Sequence, residues 1–369
     1  MKARHLTIFP IAVVIGVLVV YFQSFQSTSD DWQAAIVSED EGQELQVPLE
    51  TTEQARSELM AEIKARTSYS LRDIYEKYLD RVGANGIIHT LHEINPTCHD
   101  EGHDLGKLIY ARLGTVGGAL RTCRDACYSG CMHGVMMEIF AEEETDNLHV
   151  DLEEIKAKVK TICEAEATLE DYKYGDCVHG VGHALMFLSD YEVSDALERC
   201  ELFDSGPEKY YCATGAFMEY MGKNDKADVG TKSKYYPCDE NRYSAACFRY
   251  KSTHVVRRQY SSGLSLKDLI NDCLAMKGGH RLGCFHGLGN AHSVYIAFNK
   301  ISISDVCGQG SDDDKYMCIE GAIERIVKYV PHLAEETCND LQGWQAELCE
   351  QGRQNGMYNL DKPFELYLP

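Results

Sequence analysis

The sequence lacks the short motifs that identify the common hydrolases and nucleotide-binding enzymes. It contains no His-Glu-x-x-His metalloprotease motif, no Gly-x-Ser-x-Gly nucleophile turn, no phosphate-binding loop and no dinucleotide-binding glycine fingerprint. Its one Asn-x-Thr triplet, at Asn95, has Pro96 in the middle and is not a usable glycosylation site. Basic residues are also scarce, with 36 Lys and Arg against 58 Asp and Glu and a formal net charge of −22. Because such a surface repels phosphate groups, we expect neither nucleic acid nor anionic lipid as a partner.

Cysteine is absent before Cys98, and the chain up to that point divides into segments of different character. Residues 1–27 start with positive charge at Lys2 and Arg4 and continue with an apolar run of about the minimum length that spans a bilayer. Since the positive flank precedes the run, we predict a signal-anchor, a transmembrane helix whose N-terminus stays inside while the remaining chain is extracytoplasmic. The alternative is a cleaved signal peptide and a secreted protein, but no clear small-residue cleavage site precedes Ser27.

Two further segments connect this anchor to the rest of the chain. Residues 28–54 are polar and acidic and have no helical or strand period, which predicts a flexible acidic stalk. Residues 55–97 are predicted to form a helical N-terminal cap, and residues 98–369 a cysteine-rich helical repeat domain. The membrane is therefore the first predicted partner, reached through the N-terminal segment.

The spacing of the 16 cysteines indicates a repeated unit. Most of them form close pairs along the chain, and from the third pair onward the second member recurs at steps of 35, 37, 34 and 31 residues. An even number of cysteines in an exported protein predicts disulfides, and a period of this length is typical of helix-hairpin arrays. The pairs are Cys123/Cys131, Cys163/Cys177, Cys200/Cys212, Cys238/Cys247, Cys273/Cys284, Cys307/Cys318 and Cys338/Cys349. The remaining Cys98 and Cys127 could bridge a half-repeat at 86–113 to the first full repeat.

Aligning the pairs predicts an all-α fold of about seven disulfide-stapled helical hairpins, each of about 35 residues. The first cysteine ends a short helix, as at 196–200, and the second opens the next helix, usually as Cys-x-x-Gly. The glycine lies one turn after the cysteine on the same face, where it permits neighbouring helices to approach closely. The architecture is similar to that of tetratricopeptide-type arrays. Whether the hairpins form an open solenoid or a closed α/α toroid stays open at this stage.

In the second helix of each unit the residue two places after the second cysteine is polar, and the residue six places after it is polar in five of the seven units; we call these positions the polar column. Residues four apart lie on one helical face, and equivalent positions of a stacked array line a common surface. The half-repeat is predicted to carry an equivalent pair with the same spacing. The histidines of the column and of the half-repeat are His99, His103, His133, His179, His183 and His286.

These histidines predict a site for a divalent transition metal such as Zn, Cu or Fe. Neutral imidazoles four residues apart form a bidentate clamp, and His99/His103 and His179/His183 supply two clamps. His286 comes from a later unit and would join the others only if the array closes on itself. The alternative is structural, with the imidazoles hydrogen-bonded to backbone carbonyls of neighbouring units.

Two functions are compatible with this pattern. The first is a membrane-anchored binding or scaffold module that holds a protein, a small molecule or a metal on its inner face. The alternative is a metal-dependent enzyme, a hydrolase or an oxidoreductase, with Glu138 or Glu219 as its base or as an extra ligand. The segment 103–107, His-Asp-Leu-Gly-Lys, is similar to the core of the HD phosphohydrolases, but the repeat accounts for these residues equally well. Convergence of three or more imidazoles on one point would favour an enzyme, and histidines spaced along an open groove would favour a module.

Overall fold

Helices account for the regular structure of this protein. The computed structural model describes residues 49–369 except for 68–69, 96–97, 124–126, 128, 142–155, 158, 161–162, 164–173, 225–232, 262, 264, 357–358, 360–364 and 369. In these described ranges fifteen α-helices follow one another and no strand occurs, so the predicted all-α fold class is confirmed. The helices are α1 Leu49–Ala65, α2 Arg72–Ile94, α3 His99–Leu113, α4 Val116–Cys123, α5 Gly130–Ala141, α6 Tyr174–Leu188, α7 Val193–Arg199, α8 Gly206–Asn224, α9 Ser244–Ser261, α10 Leu266–Ala275, α11 Gly278–Ala297, α12 Ile303–Cys307, α13 Asp312–Tyr329, α14 Ala334–Cys338 and α15 Trp344–Asn355.

The N-terminal part of the described chain consists of α1 and α2, which pack against each other. Helix α1 begins within the last residues of the predicted stalk, because Ala55, Leu59 and Ile63 recur every four residues and are buried as one apolar face. The predicted signal-anchor at 1–27 and the stalk up to residue 48 lie outside the described residues. None of the helices that the structure describes combines the length and the apolar character needed to cross a bilayer.

Disulfides join the helices in the pattern that the cysteine spacing predicts. Seven of them link the close pairs, with sequence separations of 8 to 14 residues, and the eighth links Cys98 to Cys127 across 29 residues. All 16 cysteines are therefore paired, which confirms the disulfide framework. Each bridge restricts the unfolded chain and so contributes about 2–4 kcal/mol to stability.

The second helix of each hairpin begins earlier than predicted, so its cysteine lies inside the helix. Helix α13 begins six residues before Cys318, because Ser311 and Asp314 form a capping box in front of it. At the start of α8, Ser205 and Glu208 exchange the equivalent hydrogen bonds. In α8, α11, α13 and α15 the disulfide consequently ties the first helix to the second turn of the following helix, and the loop between them is shorter than the cysteine spacing suggests.

The second helices pack one on the next in chain order, α3 on α5, α5 on α6, α6 on α8, and so on to α15. This order is compatible with a repeat array. Four of the six Cys-x-x-Gly glycines lie at close approaches where an added Cβ would overlap the backbone of the preceding helix: Gly134, Gly215, Gly287 and Gly321. Gly134, Gly215 and Gly321 lie against the carbonyl groups of His103, His179 and His286, respectively.

A second set of glycines makes these approaches reciprocal. Gly106, Gly182 and Gly289 lie against the carbonyl oxygens of Cys131, Cys212 and Cys318 on the next helix. This equivalence aligns Gly106 with Gly182 and therefore His103 with His179. The half-repeat is thus offset by one helical turn from the alignment expected from the histidine spacing, and His99 lies one turn before the polar column.

Candidate metal centre

Four histidines from three helices that pack one on the next lie around one point. His99 and His103 of α3, His133 of α5 and His183 of α6 each offer a ring nitrogen, and these nitrogens all lie within 4.8 Å of one another. The close approach of α3 to α5 at the paired glycines brings the rings together. A group of imidazoles at this separation could hold a transition-metal ion, whose nitrogen ligands lie at about 2.0–2.1 Å from the ion.

His179 extends this set to five rings, which we call the histidine group: His99, His103, His133, His179 and His183. Its Nε2 lies 3.2 Å from Nε2 of His183, one turn further along α6. On α3, Nε2 of His99 and Nε2 of His103 lie at the same distance, 3.2 Å. Two nitrogens bound to one tetrahedral ion are about 3.3 Å apart, as follows from the metal–nitrogen bond length. Both pairs therefore have the spacing of a bidentate clamp.

Hydrogen bonds on α8 orient the two rings of α6. The Nδ1 of His179 lies 2.7 Å from Thr214 Oγ1, and that hydroxyl donates to the carbonyl of Tyr211, so the imidazole is best assigned as the donor at Nδ1. The Nδ1 of His183 lies 2.9 Å from Glu219 Oε2, a carboxylate that only accepts. With the protons of His179 and His183 at Nδ1, the lone pairs on their Nε2 atoms face and repel each other. A cation bound by both atoms would replace this repulsion with attraction.

Glu219 is the carboxylate that supports this arrangement. Besides the bond from His183, it accepts a hydrogen bond of 3.0 Å from Tyr191, and its Oε2 lies 3.9 Å from Nδ1 of His103. Although burial opposes ionisation, the hydrogen bonds from His183 and Tyr191 hold the pKa of Glu219 far below its usual range. The site therefore includes one fixed negative charge. Carboxylate–histidine pairs of this kind orient the ligands of many metal sites.

His133 occupies the middle of the group. Its ring stacks on that of His183 at 4.2 Å between centroids, and it contacts the rings of His99 at 5.1 Å and His179 at 4.9 Å. Both of its nitrogens are buried, and neither has a hydrogen-bond partner among the residues that the structure describes. A buried imidazole without a partner costs free energy, and a metal ion would satisfy it.

Burial keeps three of the rings in the state that binds metal. The pKa values of His103, His133 and His179 are lowered well below the usual value, chiefly because burial disfavours the charged form and then because neighbouring histidines repel a second charge. These imidazoles are therefore neutral at neutral pH. Neutral imidazole is the form that binds zinc, copper and iron.

Two of the predicted site residues lie apart from this group. Glu138 of α5 forms an ion pair with Arg72 of α2 at 3.1 Å. His286 of α11 lies 3.1 Å from Glu324, which also pairs with Arg249 at 2.9 Å. All three residues of this second cluster are buried. Its Arg–Glu pair carries both signs of charge, whereas the histidine group contains no Arg or Lys and contacts the carboxylate of Glu219.

Two contributors to the site were not selected from the sequence. Thr214 belongs to the polar column, and the polar character of that column was the available signal in the sequence. A hydroxyl group on a different helix from the histidines, however, does not form a metal-ligand motif with them. Tyr191 follows α6 in the chain and reaches Glu219 only through the fold, so no local signal identified it.

A second set of possible metal donors consists of His92, Cys98 and Cys127. Their donor atoms also lie within 4.8 Å of one another. However, both sulfurs belong to one disulfide and are not thiolates, which are the form of cysteine that binds metals. The histidine group is therefore the candidate centre.

Comparisons with protein-family models, with curated proteins and with solved structures found no match to this chain. The function of the site is consequently inferred from its own geometry and chemistry.

Proposed function

We propose that this protein is an extracytoplasmic binding protein for a transition-metal ion, which it holds in the histidine group. The observation that carries the proposal is the convergence of four imidazole nitrogens within 4.8 Å. Three further features support it: facing Nε2 atoms on α6, a carboxylate bonded to one ligand, and a central ring without a hydrogen-bond partner in the described chain. The facing Nε2 atoms and the ring without a partner are costly in a purely structural cluster, and all three features are favourable around a cation.

The donor atoms favour zinc, copper or iron. Imidazole nitrogens suit these ions, whereas calcium and magnesium require oxygen ligands. Thiolates are excluded as ligands, because every cysteine is in a disulfide. Four nitrogen ligands also complete a tetrahedral ion and leave no position for a substrate, an arrangement typical of binding and structural sites.

The compartment follows from the disulfides. Eight disulfide bonds are typical of an oxidising environment outside the cytoplasm. In our proposal residues 1–27 attach the chain to the membrane, and the helical array presents its metal site, and a surface for a protein or small-molecule ligand, on the outer side.

A metal-dependent enzyme, a hydrolase or an oxidoreductase, is the second candidate function. Two observations favour it: the convergence of the imidazoles, which is the arrangement expected of an enzyme, and the position of Glu219, whose carboxylate retains 12% side-chain exposure next to the histidine group. His99 is likewise only partly buried. A carboxylate of this kind beside an ion with a free position could serve as a general base.

The first experiment is the metal content of the oxidised full-length chain, measured by elemental mass spectrometry after purification and after supplementation. A double variant, His133→Asn and His183→Asn, removes two of the converging rings. A second double variant, His280→Asn and His332→Asn, removes two histidines outside the group and serves as the control. We expect stoichiometric metal in the wild type and in the control, and its loss in the first variant. A wild type that binds no metal even after supplementation would refute the proposal.

A further inference from the structure

The histidine group is graded in depth from the surface inward. His99 is partly buried, the exposed fraction is 8% for His103 and 2% for His133, and His183 and His179 are fully buried. The outer pair, His99 and His103, belongs to α3, and the inner pair, His179 and His183, belongs to α6. The two Nε2–Nε2 clamps thus lie at opposite ends of this gradient.

The five rings do not share a single centre. His179 is not among the four histidines whose nitrogens lie within 4.8 Å of one another, although its Nε2 is 3.2 Å from that of His183. His133 lies between the pairs, at about equal ring distances from His99 and His179, 5.1 Å and 4.9 Å. One ion can therefore be bound by the outer pair with His133 or by the inner pair with His133. These two positions overlap.

Charge favours one ion at a time. Two divalent ions would bring four positive charges into a site where Glu219 supplies one negative charge by direct contact. Asp100 of α3 lies close enough to interact electrostatically with Glu219 and His183, but it adds only one further charge. A single dication is close to balanced by these two carboxylates, whereas a second one would be buried without compensation.

We propose that the histidine group offers one metal ion two overlapping positions, so that the ion is captured at the partly exposed pair His99/His103 and moves inward to the buried pair His179/His183. This inference rests on the proposed metal-binding function. His133 passes the ion between the pairs, because it is within reach of both. The outer pair then controls how fast the ion enters and leaves, and the inner pair controls how tightly it is held.

The test separates rate from affinity, with zinc as the probe and the full-length oxidised chain as the sample. Zinc uptake is followed by stopped-flow absorbance with a chromogenic zinc indicator, and the Kd is measured by competition with the same indicator. The variants are His99→Asn at the outer pair and His179→Asn at the inner pair. Asparagine is chosen because its amide occupies the place of the ring's Nδ1 and removes the Nε2 ligand. His332→Asn, an exposed histidine outside the group, is the control.

We expect His99→Asn to slow both uptake and release severalfold and to weaken the Kd less than the inner-pair variant does. We expect His179→Asn to weaken the Kd by at least about tenfold, with an uptake rate close to that of the wild type. Thr214→Val provides a second route if His179→Asn does not fold. It removes the hydrogen-bond partner of His179 Nδ1 without removing a ligand, and it should also weaken the Kd and leave the uptake rate unchanged.

Three results would overturn the inference while leaving metal binding intact. These are equal losses of affinity in both variants, an uptake rate that depends on His179, and two zinc ions bound per chain at saturation. Failure of the wild type to bind zinc or any other metal would instead remove the proposed function itself. The two failures are therefore distinguishable.

Discussion

Glu219 and Glu138 show how residues at one position of the repeat acquire different roles. Each lies seven residues after the second cysteine of its unit, and both border the polar column. Glu138 points to α2 and pairs with Arg72, whereas Glu219 accepts the Nδ1 proton of His183. Only the latter contacts the histidine group, so the two side chains form a matched pair for testing how the site is supported.

Replacing the Glu219 carboxylate should weaken metal binding, because it orients His183 and contributes the negative charge beside the ion. We expect Glu219→Gln to raise the metal Kd by about 10–100-fold, measured by isothermal titration calorimetry. Glu138→Gln should leave the Kd within about twofold, because that residue makes no direct contribution to ligand orientation. Equal effects of the two substitutions would contradict the assignment of Glu219.

The lowered pKa values of His103, His133 and His179 predict how stability depends on pH in the metal-free protein. In the unfolded chain these residues take up protons near pH 6.5, whereas in the folded chain they stay neutral to lower pH. The unfolded state therefore binds more protons than the folded state below pH 6.5. The contribution of the neutral histidines to stability is fully present above that pH and is lost as the pH falls toward their pKa values in the folded protein.

Between pH 7.5 and pH 5.5 we expect each of the three histidines to lower the free energy of unfolding by at most about 1.4 kcal/mol, which is the limit set by protonation of an unfolded histidine with a pKa of about 6.5. Urea unfolding of the chelator-treated chain at both pH values measures the change. His133→Asn should reduce this pH dependence by roughly one third. Greater stability at pH 5.5 than at pH 7.5 would show that the folded protein binds protons at these sites.

At the scale of the elements, the paired glycines determine where the second helices meet. Gly182 and Gly215 place α6 and α8 in direct backbone contact, each against a carbonyl group of the other helix. The same reciprocal contact recurs between α3 and α5 and between α11 and α13. Because side chains are absent at these crossings, the polar residues next to them, including His103 and His179, come close to the neighbouring helix.

Two glycines of α8 test this interpretation on one helix. Gly215→Ala would drive a Cβ into the carbonyl of His179, and we expect it to destabilise the fold by about 1–3 kcal/mol. A Cβ added at Gly222 would have open surroundings, with Asp100 Oδ1 at 4.0 Å as its nearest neighbour. We therefore expect Gly222→Ala to stabilise the fold by about 0.5–1 kcal/mol through its higher helix propensity. Chemical denaturation of both variants measures these changes in the free energy of unfolding. A stabilised Gly215→Ala protein would mean that α6 and α8 are not in contact there.

At the scale of the whole molecule, disulfides replace part of the cohesion that a single large core would provide. Each hairpin is closed by its own short bridge, and Cys98–Cys127 is the one that spans a longer stretch, from the start of α3 to the loop before α5. In the chain-entropy description a longer closed loop restricts the unfolded chain more, and so stabilises the folded state more.

Removing single bridges should therefore have graded effects. We expect the double variant Cys98→Ala and Cys127→Ala to lose about 3.5 kcal/mol, and the double variant Cys123→Ala and Cys131→Ala to lose about 2.5 kcal/mol. Urea unfolding without metal measures both, since bound metal would add its own stabilisation. The reverse order of losses would indicate that contacts in the folded state outweigh the loop length.

Features that depend on local chemistry and spacing could be predicted from the amino-acid sequence. The all-α class, the disulfide pairs and the close approach at Gly134, Gly215 and Gly321 are all confirmed. Helical periodicity, the pairing of neighbouring cysteines in an oxidised protein and the lack of a Cβ in glycine act over a few residues, so a linear sequence displays them.

Only the tertiary structure decided which polar residues meet. It offset the half-repeat by one turn, directed Glu138 to Arg72, and placed His286 with Glu324 instead of with the other histidines. It also brought Glu219 of α8 to His183 of α6 and near His103 of α3. These outcomes depend on the angles and distances at which successive helices cross. Those geometries result from packing summed over several units, which no single repeat encodes.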